Sequence, residues 1–117
     1  MSKLVVLITA RIEEGHNIGE AWQQVGAPGV TLVESHGLRR LQKAAKYTEI
    51  LSGTISMLEV LNQIDSSSLI IFTVIDDDTL VDKLVAVTEK ILGDLRQPNN
   101  GIAFVINLER AFGINHY

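Results

Sequence analysis

Few residues in this 117-residue chain carry recognisable chemistry, and those that do point to binding rather than catalysis. Arg39 and Arg40, followed by Lys43 and Lys46, form the one basic stretch. Fixed cations at the start of a connection could hold a small anion or a partner's carboxylate. The plainer reading is a basic face on a solvated helix. His16, His36 and His116 are too scattered to show the short helical spacing of a zinc site. His16 follows the first strand-like run and His36 ends the second; as an antiparallel pair these ends fall on opposite sides, so one chain is not expected to bring them together. Asp76-Asp77-Asp78 could offer oxygen ligands to a divalent cation. The expected role is capping, since acids before a helix satisfy its first amides and favour its dipole. Cysteine is absent, which removes disulfides, thiolate metal sites and thiol nucleophiles together. The serines and threonines have no convincing histidine partner, and neither Gly53 nor Gly101 belongs to a phosphate-loop or dinucleotide motif. No enzymatic activity is expected.

Composition bounds what surrounds these residues. The length fits one domain, 1–117. Hydrophobic residues make up 46% and charged ones 21%, so a core can form and wholesale disorder is excluded. Aromatics are only 5%, which makes that core aliphatic. A net charge of −4 argues against nucleic acid or an anionic membrane as the main partner. The apolar runs at 4–10 and 69–75 are too short to cross a bilayer. A cytoplasmic location without membrane insertion is expected, since the chain opens on a strand-like run rather than a signal peptide. Mean hydropathy is +0.21, high for a small soluble monomer, and predicts that another subunit covers part of the surface.

Periodicity then places the elements. Residues 4–10, LVVLITA, read as a strand buried on both faces. A polar loop over 11–16 leads to Asn17, a good N-cap with Glu20 three residues later. Ile18, Ala21, Trp22 and Val25 recur at helical spacing until Gly26 and Pro28 stop the helix. Trp22 sits on the apolar stripe and is expected in the core. Residues 29–36 form a second strand, with Val30, Leu32 and Glu34 on one face and Thr31, Val33 and Ser35 on the other. Residues 69–75 form a third. Thr79 with Asp82 repeats the capping-box pattern, and Leu80, Leu84, Val87, Ile91 and Leu95 stripe a long helix. Gly93 and the turn 97–101 end it, and 102–108 give a fourth strand.

The order β-α-β, long connection, β-α-β is the split, ferredoxin-like plan: an α+β sandwich with a four-stranded antiparallel sheet and two helices on one face. The other face is then bare. Strands apolar on both faces predict that it is buried by oligomerisation. The connection 37–68 has two readings. Leu41, Ala44, Ala45, Thr48 and Leu51, then Ile55, Leu58, Leu61 and Ile64, support one or two docked helical segments. A mobile loop with a short extra strand is the other.

Several stretches resemble the PII nitrogen-regulatory signalling family. The run Gly29-Val30-Thr31-Leu32-Val33-Glu34-Ser35-His36-Gly37 resembles that family's second strand leading into its T-loop. Thr48-Glu49 with Gly53 resembles a T-loop landmark, 76–90 the acidic start and body of the second helix, and Glu109-Arg110 the end of the last strand. The resemblance implies a homotrimer that binds an adenine nucleotide or related small effector in clefts between subunits. The effector would sit near Thr31, Gly37, Arg39, Arg40 and Gly101, and the T-loop-like segment 37–66 would dock on a regulated protein, a transporter or an enzyme. The sequence also departs from the family. Gly37 is followed by Leu38 rather than glycine, Asn99-Asn100-Gly101-Ile102 lacks the usual lysine, and Gly113 and Asn115 stand where two arginines usually clamp phosphates. Arg40 alone falls where a phosphate-facing arginine is expected, so a weakened phosphate site is predicted. Tyr47 does not match the family's modification motif. A second resemblance, to CutA-type ion-tolerance trimers of the same plan, implies a structural or divalent-metal-responsive protein instead.

Overall fold

A computed structural model describes residues 2–36 and 68–114. Strand β1 spans Lys3–Thr9, helix α1 Gly15–Gln24, β2 Thr31–Ser35, β3 Ser68–Ile75, α2 Asp78–Leu92 and β4 Ile102–Asn107. The sheet order is β2-β3-β1-β4, with every neighbouring pair antiparallel. This is the ferredoxin-like arrangement expected from the element order.

Both helices lie on one face of the sheet. Val5 and Leu7 of β1, and Leu69, Ile71 and Ile75 of β3, meet Ile18 and Trp22 of α1 and Leu80, Leu84 and Leu92 of α2 in one cluster. Trp22 is 1% exposed, and its indole Nε1 donates to Thr88 Oγ1 at 2.9 Å. The Thr88 hydroxyl in turn donates to the Leu84 carbonyl at 2.7 Å, so the buried polar atoms close among themselves. Thr73, on the same buried face of β3, donates its hydroxyl to the Gly29 carbonyl and fixes the entry to β2.

The start of α1 differs from the sequence reading, while α2 is capped by the acidic triplet as expected but not by Thr79. The stretch 11–16 is not a polar loop, and Asn17 is not the cap. A 3₁₀ turn over Ile12–Glu14, closed by Glu14 N donating to Arg11 O at 3.1 Å, runs directly into α1 at Gly15. Gly15 is there for close approach: a Cβ on it would overlap Leu69 Cδ2. Asn17 Nδ2 instead donates back to Glu14 Oε2 at 3.0 Å.

Thr79 does not cap α2 either. Asp77 does, accepting from Thr79 Oγ1 at 2.7 Å and Thr79 N at 2.9 Å. Those two hydrogen bonds, the hydroxyl's first, hold its carboxyl below the ordinary 3.8. Asp76 accepts from Ser2 Oγ at 2.7 Å, and Asp78 lies 3.6 Å from Lys3 Nζ. The acidic triplet is thus a helix start tied to the beginning of β1. The connection 37–67, with both readings of it, lies outside the described residues.

Candidate functional site: the open sheet face and its two edges

The strand registers define what the helix-free face carries. One row runs Val33, Ile70, Ile8, Ile102 across β2, β3, β1 and β4. The next runs Thr31, Phe72, Val6, Phe104, and a third runs Val74, Leu4, Ile106 over the inner strands and β4. Ten of these eleven side chains are apolar. No helix covers them among the described residues, yet Val6 is only 8% exposed because Phe72 and Phe104 flank it. Toward the β4 edge the cover fails: Ile102 is 64% exposed, Ile106 46% and Phe104 39%. Val33 on β2 is 43% exposed. The apolar excess expected from hydropathy therefore lies where the strand pattern put it.

The candidate effector residues divide between the two edges. Thr31 opens β2 at one edge, and Gly101 precedes β4 at the other. Three inter-strand spacings separate these edges, about 14 Å. One chain does not bring Thr31 and Gly101 together. Gly37, Arg39 and Arg40 lie outside the described residues.

Gly101 is glycine for a local reason. Its φ is +130°, and a Cβ there would come 2.8 Å from the Ile8 carbonyl oxygen. Gly101→Ala is expected to cost about 1–3 kcal/mol, measured by urea unfolding followed by circular dichroism. The turn before it is stitched to β1 and α2. Thr9 Oγ1 donates to Asn100 O at 3.2 Å and accepts from Arg11 N at 3.1 Å, while Asn100 Nδ2 donates to Asp94 O at 2.7 Å. Two cations at this corner already have partners. Arg11 Nη1 donates to the Leu92 carbonyl at 3.0 Å, at the negative end of α2, and its guanidinium lies 3.8 Å from Glu13 and from Glu14. Arg96 pairs with Asp94 at 3.3 Å, and hydrogen bonds from the Arg96 backbone, then its side chain, hold the Asp94 carboxyl low. The sequence reading did not single out Arg11: an arginine after a strand carries no signal that it will close a distant helix.

β1 and β2 are both antiparallel to β3 and so run parallel to each other, which sets His16, after β1, and His36, after β2, at the same end of the sheet rather than at opposite ends as expected. No three His, Asp or Glu side chains among the described residues gather as a metal site.

Solved structures share this architecture. A GlnK–ATP complex from B. subtilis aligns with TM-score 0.54 and 16% identity, over 90% of this chain and 79% of that one. A second B. subtilis GlnK structure aligns with TM-score 0.53 and 16% identity, over 92% and 85%. The chain has the PII fold. No family model matches the sequence, and no curated protein does. No helix among the described residues is long and apolar enough to cross a membrane.

Proposed function

We propose that this chain is a PII-like regulatory protein without enzymatic activity, acting as a homotrimer in the cytoplasm. One observation carries the reading: an apolar face spans all four strands while two of the candidate effector residues, Thr31 and Gly101, sit on opposite sheet edges. A face of this kind is stabilised by burial against copies of itself. A head-to-tail contact that closes into a ring sets the β4 edge of one subunit beside the β2 edge of the next. That juxtaposition completes a cleft with Gly101 from one chain and Thr31 from its neighbour. Arg39 and Arg40, which follow β2 in sequence just after Gly37, supply its cations. The PII fold and the ATP held by the B. subtilis GlnK complex support an adenine nucleotide as the effector. Effector binding shifts the population of the 37–66 segment, through which a transporter or enzyme, in nitrogen regulation by analogy with the family, is controlled. The likeness runs to GlnK and does not favour the CutA-type alternative.

Calorimetric titration with ATP, ADP and AMP tests the effector. Saturable heat at millimolar nucleotide is expected. Arg40→Ala should weaken binding roughly tenfold to a hundredfold, the loss of one charge-assisted hydrogen bond of about 1.5–3 kcal/mol. Absence of heat with all three nucleotides removes the adenine nucleotide from the account.

A further inference from the structure

Beyond β4 the chain presents an aromatic side chain with no cover. Phe112 is 82% exposed, and the Arg110 guanidinium lies 5.2 Å from its ring centroid. Such a pair travels as one unit, apolar with a positive rim. At the opposite sheet edge, α1 and β2 enclose an open groove of about 310 Å³ lined by His16, Gly19, Glu20, Gln23, Val30 and Leu32. Its floor is apolar, and Glu20 supplies a negative charge on its wall. A cavity of about 150 Å³ holds a benzene ring, so this groove has room for a phenyl side chain and its stem. Gly19 lines its helix wall, where a Cβ would sit at ordinary contact distance, 3.5 Å, from Leu32 Cδ1.

The two features belong to opposite edge strands of the sheet. β4 ends at Asn107, level with Lys3 and Ile75, while Thr31 at the start of β2 is level with Phe72 in the middle row and the groove runs along α1 from His16 to Gln23. Leu108 N donating to Ser2 O at 2.9 Å carries the tail past the end of β4. Within one chain the strand that leads to Phe112 and the strand beside the groove lie at opposite edges of the sheet.

We propose that Phe112 of one copy seats in the α1–β2 groove of the next copy, with Arg110 facing Glu20. This rests on the head-to-tail ring proposed above and names the contact that fixes its register. The occupant is a second copy for two reasons. Tail and groove belong to the two edge strands that a ring must join, and their charges are opposite. The contact would also place subunit pairing within reach of α1, away from the open face.

The chain has no cysteine, so paired cysteines give a clean probe. Phe112→Cys is combined with Gln23→Cys or with Glu20→Cys, and each double variant is treated with a short bis-maleimide. A third pair, Phe112→Cys with Lys83→Cys on the outer side of α2, is the control. Native mass is measured for each by light scattering. Covalent dimers and trimers on a denaturing gel from at least one groove pair, and none from the control, are expected. Trimeric variants that give no groove cross-link, or none above the control, overturn the Phe112 contact and leave the ring standing. A wild-type chain that is monomeric overturns the ring, and the contact with it.

Discussion

Phe104→Glu is expected to convert the assembled protein into folded monomers. Phe104 lies in the middle row of the open face, opposite Val6 in the β1–β4 register, and is 39% exposed in the single chain. In an isolated subunit the new carboxylate can still reach water at the β4 edge, so the fold is retained. Against a second copy it would be buried without a partner, which costs several kcal/mol per ion even after relaxation. The lost phenyl burial adds about 1.5–3 kcal/mol per subunit. Multiplied over the seams of a ring, these terms exceed what a small interface can absorb. Light scattering should report one chain mass for Phe104→Glu, with the far-ultraviolet circular dichroism of the wild type. Lys83→Glu, a charge reversal on the exposed side of α2, should leave the mass unchanged.

The second large effect concerns the core. Trp22→Ala removes the largest fully buried side chain, at the meeting of both helices and the sheet. Large aromatic truncations cost about 3–5 kcal/mol, a large share of the 5–15 kcal/mol that typically holds a domain. The indole also donates to Thr88 Oγ1, so the truncation leaves that oxygen short of a donor. Trp22→Phe keeps most of the apolar contact and gives up the hydrogen bond, so a smaller loss is expected. Because Trp22 is the only tryptophan, urea unfolding has to be followed by circular dichroism rather than indole emission. A Trp22→Ala midpoint within error of the wild type would show that the helix–sheet core is not what sets stability.

Much of this was legible in the sequence because hydrophobic period and element order constrain a ferredoxin-like sheet tightly. Near-continuous apolar runs at 4–10 and 69–75 say that both faces of a strand are covered, and two helices can cover only one. The failures were local. Asn17 and Thr79 looked like caps because a small polar residue with an acid three positions later is the usual signal. At Asn17 the backbone was already helical, since a 3₁₀ turn had started the helix at Gly15. At Thr79 the preceding Asp77 accepted from both the amide and the hydroxyl, so the threonine became a donor to the cap. Gly15 read as part of a polar loop because sequence does not show that Leu69 will press against it. The site was harder still. Thr31 and Gly101 carry no spacing signal, because what unites them is a contact between separate chains. Arg11 was invisible for a related reason: its partner, the Leu92 carbonyl, belongs to a helix ending eighty-one residues away in the chain.

The effector cleft and the seating of Phe112 both depend on the open face being covered by copies of this chain. The native mass of the wild-type protein, measured by light scattering across a hundredfold range of concentration, tests that dependence most directly. A mass near 39 kDa, three times the 12.9 kDa chain, held constant over that range, is the expected result. A constant mass near 12.9 kDa would contradict it, leaving the apolar rows of β1, β3 and β4 without a cover and the effector cleft without its second wall.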